Sequence, residues 1–303
     1  MRFFRFALLA CTVLFSFLIV VTSCHKTGTN PVTVIKDSTV IKDSAVYVDS
    51  ARADSILTSA SLKNGLLVYL PFDGNFADSS GNGNLTTAVG GATLGYDEHG
   101  YLNSAFTGTG SGGFLEVTNN GSIQFDTAIS VSFDLMVVDS RREGLVQFVD
   151  NTDAEAFSFG VATSPSSPYN LEFAVADTAL CDTVTSNSTN VTLMNASGLL
   201  VPTSWYNIIT IFHKDTLQIY VNGALNSTAY SPNTSLSVCP TAKMIVGGWW
   251  DGDPASLNGT MDEVRLYNRV LTANEIKFLA RNFQPGSTRV KPAIKSGKSA
   301  TIN

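Results

Sequence analysis

Between Leu62 and Phe283 the chain is a succession of short apolar runs cut by Gly, Asn, Asp and Ser, with hydrophobic residues recurring at every second position. Side chains on a strand alternate sides, so "ISVSFDLMVV" places Ile129, Val131, Phe133, Leu135 and Val137 on one face. "TLQIYVNG" groups Leu217, Ile219 and Val221, then reaches Asn222-Gly223, a pair that tolerates the left-handed backbone of a two-residue hairpin turn. "NLEFAVA" and "AKMIVGGWW" follow the same pattern, whereas "WYNIITIFHK" is apolar on both faces and is expected in mid-sandwich. About a dozen such runs without alternating helices predict an all-β fold, an antiparallel two-sheet β-sandwich or jelly roll.

One helix interrupts the pattern. In "LTANEIKFLARNF", Thr272 is suited to cap the helix and Glu275 stands three residues on, the arrangement in which each side chain satisfies the other's exposed backbone amide. Leu271 precedes the cap and can staple to Ile276, and Ile276, Leu279, Ala280 and Phe283 form one apolar stripe. The spacing predicts a short C-terminal helix laid against the sandwich as a closing element.

The flanks differ in character. Residues 1–23 combine Arg2 and Arg5 with the apolar run "ALLACTVLFSFLIVV", and "VTSC" then ends at Cys24. This resembles a bacterial lipoprotein signal, with Val21, Thr22 and Ser23 as variant lipobox positions. The resemblance implies cleavage before Cys24 and lipid attachment there, hence an anchored cell-envelope protein of the outer membrane, periplasmic or surface-facing. An ordinary secretory signal is the alternative. Residues 24–61 carry a six-residue repeat, "VIKDST", "VIKDSA" and "VYVDSA", too short to bury a core and expected to form an extended stalk. Asp-Ser recurs there at Asp37, Asp43, Asp49 and Asp54, which resembles a bacterial O-glycosylation motif or is simply a polar spacer. The tail, residues 284–303, is rich in Pro, Gly, Ser and Lys and is expected to be disordered. The formal net charge of −6 argues against a nucleic-acid partner, which would call for a basic stripe.

Of the four cysteines, Cys11 leaves with the signal and Cys24 is the lipid site. Cys181 and Cys239 remain in an oxidising export context and are expected to form a disulfide, two buried thiols being the alternative.

Three blocks carry a family resemblance: "GLLVYLPFDGNFADSSGNGN" (residues 65–84), "WYNIITIFHKDTLQIYVNGAL" (205–225) and "LNGTMDEVRLYNRVLTANEIKFL" (257–279). In this order they resemble the opening, central hairpin and closing strand with helix of LamG-like, concanavalin A-like jelly-roll domains. The resemblance implies a domain over residues 62–283. Members bind glycans or protein partners, and fold alone constrains function weakly.

Period-two alternation in "GTMDEVRLYN" puts Asp262 on the face of Val264 and Leu266, and a carboxylate facing a core is costly unless paired or metal-bound. The resemblance implies that the N-terminal turn meets the closing strand, where related jelly rolls hold structural Ca²⁺. Asp73, Asn75 and Asp78 in that turn are therefore expected to join Asp262 around a calcium ion, which takes six to eight oxygens. The alternative is that these residues cap amides and make turns. For a carbohydrate ligand, "GGWWDGDPASLNG" offers Trp249 or Trp250 for stacking, with Asp251, Asp253 and Asn258 for hydroxyl hydrogen bonds. Tyr101 and Phe114 are further aromatic candidates. No Glu-x-Asp-x-x-Glu string of laminarinase-type enzymes occurs, Glu172 being its nearest imitation, and His25, His99 and His213 are scattered. A non-catalytic, lectin-like binder is the expectation; a structural or adhesion module for an envelope or extracellular protein, or a divergent glycoside hydrolase, are the alternatives.

Overall fold

The computed structural model describes residues 58–139, 141–149, 157–164, 169–178, 188–236, 238–239, 242–249 and 255–282. The leader, stalk and tail expected from the sequence lie outside the described residues, as do Cys24, Cys181, Trp250, Asp251, Asp253 and Phe283. Among the described residues no helix is long and apolar enough to cross a membrane.

The strands are β1 (Leu66–Leu70), β2 (Leu85–Val89), β3 (Thr93–Gly95), β4 (Ala105–Thr109), β5 (Phe114–Thr118), β6 (Ala128–Val137), β7 (Glu143–Val149) and β8 (Phe157–Ser164), followed by β9 (Tyr169–Thr178), β10 (Ser188–Leu200), β11 (Trp205–His213), β12 (Thr216–Val221), β13 (Ala224–Tyr230), β14 (Lys243–Val246) and β15 (Asn258–Tyr267). Helix α1 (Ala273–Asn282) closes the domain. One sheet runs β13-β12-β11-β6-β15-β4-β3, with β1 also on β15; the other runs β10-β9-β8-β7-β14-β5-β2, and every pairing is antiparallel. This is the antiparallel two-sheet β-sandwich that the alternation predicts, of the concanavalin A-like jelly-roll class that the family resemblance implies.

The predicted inward faces are buried. Ile129, Val131, Phe133, Leu135 and Val137 of β6 meet Phe148, Phe159, Leu171, Phe173, Met244 and Val246 of the opposite sheet in one apolar core. Burying an aliphatic or aromatic side chain of this size contributes roughly 1.5–3 kcal/mol. The two apolar faces of β11 have separate partners: Ile208 and Phe212 enter the inter-sheet core, while Ile209 and Ile211 lie under α1 with Leu62, Tyr267, Leu271, Ile276 and Leu279. Between β12 and β13, Asn222 (φ 49°) and Gly223 (φ 79°) form the expected tight turn. A Cβ on Gly223 would stand 2.9 Å from the Ala280 side chain, so the turn also admits α1 at close range.

The start of α1 follows its sequence pattern and extends it. Glu275 Oε2 accepts from the Thr272 amide (2.8 Å), and the Glu275 amide donates to Thr272 Oγ1 (3.3 Å). The same carboxylate receives both terminal nitrogens of Arg269 (2.7 and 2.8 Å) and Ser61 Oγ (2.8 Å). Arg269 also donates to the carbonyls of Asn64 (2.7 Å) and Ser61 (3.1 Å), so both ends of the domain are fastened at one carboxylate. Burial would raise the Glu275 pKa, but the Arg269 hydrogen bonds and the amide at Thr272 outweigh it and hold it down to about 2.

A folded-state pKa below the unfolded value stabilises the fold above the ordinary glutamate pKa, and that stabilisation fades as pH falls towards the folded value. The melting temperature is therefore expected to drop between about pH 4.3 and 2, in part through Glu275. Glu275→Gln should lose roughly 2 kcal/mol of stability at pH 7, less than the 3–5 kcal/mol of a stranded buried charge because the amide keeps part of the hydrogen bonding. It should also show a shallower acid limb; thermal melts across this range check both.

Candidate functional site

Two places gather polar side chains. The first lies on β15, whose outer edge changes partner: residues 258–261 pair with β4 and residues 264–267 with β1. At the changeover Asp262 stands opposite Asp134 of β6 and Arg265 opposite Ser132, so three steps on β15 match two on β6. This one-residue bulge centres on Glu263, in the left-handed region at φ 55°. The bulge corrects the face expected for Asp262. Val264 and Leu266 enter the core, but Asp262 turns to the opposite face, that of Asp134, Arg265 and Tyr267. Regular alternation fails because an inserted residue reverses parity.

Asp262 (0% exposed) and Asp134 (5% exposed) form a directly opposed pair of buried acids. Asp134 Oδ1 accepts from Asn207 Nδ2 at 2.8 Å; Asp262 Oδ1 accepts the Glu263 amide at 2.8 Å, and its Oδ2 has no hydrogen-bond partner. Burial raises both pKa values well above the usual carboxylate range, and mutual repulsion with Glu98 and Glu263 adds to the rise. The β3–β4 loop brings Asp97 and Glu98 alongside, so that carboxylate oxygens of Asp97, Glu98 and Asp262 lie within 4.8 Å of one another. Asp97 shapes that loop by accepting the amides of His99 (3.0 Å) and Tyr101 (2.8 Å), while Glu98 lies 3.1 Å from His99 Nε2. Arg265 pairs with Glu263 and lies 4.2 Å from the centre of the Tyr69 ring.

Among the described residues, the acids gathered around Asp262 do not include Asp73 and Asp78. Asp78 accepts from the Tyr69 amide (2.9 Å), the Ser80 amide (3.0 Å) and hydroxyl (2.8 Å), and Asn84 Nδ2 (2.8 Å). Asn75 Oδ1 accepts the Ala77 amide at 2.7 Å. Asp73 sits beside Gly74, whose amide donates to Asn103 O (2.8 Å) and ties the turn to the loop carrying Asp97. Sequence reasoning missed Asp97 and Glu98, whose only signal is an acidic pair ahead of His-Gly in "DEHG".

The second place is the end of the sandwich where β7, β14 and β15 meet. Gly144 packs so tightly that a Cβ there would lie 2.1 Å from Gly248 O. This brings the half-buried Trp249 beside β7, with the Arg142 guanidinium 4.4 Å from its ring centroid. Asn258 is tied down by its Nδ2 to Asp139 (2.7 Å) and its amide to Glu143 (3.0 Å), while Arg141 pairs with Asp139 at 2.9 Å. Burial pushes the Glu143 pKa up to about 8 against the amide of Asn258. Glu172 faces away from the core beside Arg142 (4.0 Å), with Ala174 and Ala176 next along its face. Glu143 pairs across from Thr163, in line with core residue Leu171, so Glu143 and Glu172 leave their sheet on opposite sides. Phe114, an aromatic candidate from the sequence, is buried against Val149 and Ile245, whereas Tyr101 is exposed.

Residues 108–277 match the family described as the concanavalin A-like lectin/glucanases superfamily. The chain belongs to this superfamily. The match spans the central hairpin block and nearly all of the closing block, and begins after the first block. No curated protein sequence matches the chain. Among solved structures, the binding domain of Paraclostridial Mosquitocidal Protein 1 aligns with TM-score 0.58 and 15% identity over 73% of this chain and 53% of its own. The botulinum neurotoxin serotype D binding domain aligns with TM-score 0.55 and 15% identity over 74% and 52%. Domain 4 of AbnA, a GH43 extracellular arabinanase from Geobacillus stearothermophilus solved with arabinotriose, aligns with TM-score 0.52 and 18% identity over 71% of this chain and 98% of that domain. The chain thus spans about half the length of the toxin domains and nearly all of the arabinanase domain. At these identities the likeness shows the lectin-type fold alone.

The raised Glu143 pKa has a stability signature. A carboxyl that ionises near 8 when folded and about 4.3 when unfolded contributes stability below the lower value and loses it as pH rises through the higher one. Glu143→Gln, which cannot ionise, should gain in melting temperature relative to the parent between about pH 4.5 and 8. Parallel melts at pH 4.5, 6 and 8 check this; a constant difference would place the titration elsewhere.

Proposed function

We propose that the protein is a non-catalytic carbohydrate-binding module held at the cell envelope by lipid on Cys24. The observation that carries the reading is Trp249 held beside Arg142 at one end of the sandwich, next to a polar set of Asp139, Arg141 and Asn258. An indole so held offers a flat apolar surface of the kind that stacks on sugar rings, and its neighbours offer hydrogen bonds to hydroxyls. Trp250, Asp251 and Asp253 follow in the same segment and complete the candidate site. The AbnA domain, whose structure holds arabinotriose, supplies precedent for an oligosaccharide ligand on this fold.

Residues 1–23 serve as the lipoprotein signal, 24–61 as the stalk, 62–283 as the binding domain and 284–303 as a solvated tail. An outer-membrane location, periplasmic or surface-facing, goes with this reading. Cys181 pairs with Cys239, which is fully buried; closing so long a loop stabilises by roughly 4 kcal/mol in the chain-entropy model.

Binding to an envelope or extracellular protein is the second reading, favoured by one observation. On β10, an edge strand, Val191 (53% exposed) and Leu193 (50% exposed) present a small apolar patch on the outer face. A glycan array and polysaccharide pull-down with the parent, Trp249→Ala, Trp250→Ala and Leu193→Asp separates the two. Saturable binding lost by at least tenfold in a tryptophan variant of unchanged melting temperature supports the carbohydrate reading. A folded parent that is silent across the array removes it. Capture of an envelope protein by the parent but not by Leu193→Asp then favours the second.

A further inference from the structure

We infer that Asp97, Glu98 and Asp262 form a binding site for a hard divalent cation, calcium, at the point where β15 passes from β4 to β1. Their carboxylate oxygens lie within 4.8 Å of one another, close enough for one ion to bridge them. The decisive atom is Oδ2 of Asp262. It belongs to a fully buried side chain and has no hydrogen-bond partner, and the carboxylate that carries it places an oxygen within 4.8 Å of the other two carboxylates. A buried oxygen in that position is costly in water-excluded protein and favourable as a metal ligand.

The surroundings sharpen the case. Asp134 is buried directly opposite Asp262, so a further carboxyl group adjoins the three. The neighbouring guanidinium, Arg265, is paired with Glu263 and seated on Tyr69. The loop bearing Asp97 and Glu98 also carries the exposed Tyr96, Tyr101 and Leu102, so solvent reaches its outer side and water can complete the coordination. Donors that are all carboxylate oxygens favour calcium over softer transition metals; the imidazole of His99, 3.1 Å from Glu98, is the feature that would suggest zinc instead.

The calcium implied by the family resemblance thus fits this chain with a different ligand set. Asp78 and Asn75 already direct oxygens to donors within the N-terminal segment, and Asp73 is not in the group of three acids, so the proposed set keeps only Asp262 of the sequence-derived one. Neither Trp249 nor its polar neighbours supply a ligand to the site, and its test does not depend on glycan binding.

The full chain, purified in detergent, is dialysed against EDTA, then given calcium, magnesium or zinc, with melting temperature and bound metal measured together. The expected result is one calcium per chain, a melting temperature lowered several degrees by EDTA and restored by calcium, and both responses lost in Asp262→Asn. Glu98→Gln, which keeps the side-chain shape on the β3–β4 loop, should weaken calcium binding at least tenfold and serves if Asp262→Asn does not fold. Asp78→Asn should keep the calcium response. A parent that retains no calcium and melts at the same temperature with and without EDTA overturns the site. Restoration by zinc alone overturns the assignment of the ion. Loss of the response in Asp78→Asn but not in Glu98→Gln overturns the ligand set.

Discussion

Strand β15 lies inside its sheet, with β6 along one side and β4 then β1 along the other. Its inward side chains, Met261, Val264 and Leu266, belong to the inter-sheet core, and its last outward one, Tyr267, belongs to the cluster under α1. A strand with two successive partners on one edge must adjust its register between them. The extra residue at Glu263 makes that adjustment, and its left-handed backbone is the local cost. Without the bulge, either the core residues or the outward set would face the wrong way. The acidic centre is a by-product of the same step, since the gap between β4 and β1 is where the β3–β4 loop reaches β15.

Much of the architecture was legible in the sequence because the physics there is local. Alternation in β6, β9, β12 and β14 marked the inward faces correctly, and Asn222-Gly223 marked its turn. Thr272 and Glu275 marked the start of α1, since a capping box involves residues only three apart. The double-sided apolar pattern of β11 was legible as mid-sandwich, but the reason needed the fold: one face meets the other sheet and the other meets the helix.

The site was less legible because it depends on long-range pairing. Nothing in "TMDEVRL" distinguishes a bulge from plain alternation, and alternation alone puts Asp262 on the core face. Asp97 and Glu98 precede Asp262 by more than 160 positions and become its neighbours only through the β3–β4 loop. The opposition of Asp134 to Asp262 requires the register of β6 against β15. Around Trp249 the sequence offers only a tryptophan after a Gly-Gly step, and its neighbours Arg142 and Glu143 reach it through the β7–β14 pairing.

The clasp at Glu275 has a mechanical meaning. Tension entering the domain from its N-terminal side reaches Ser61 and Asn64 before it reaches β1, and both residues are bonded to Arg269. Arg269 is in turn locked to the head of α1, and Ser130 Oγ of β6 donates to its carbonyl at 2.7 Å. A pull is therefore shared between the helix and an interior strand instead of peeling β1 from β15 one hydrogen bond at a time. The same few bonds that close the fold chemically also set where it would first yield under load.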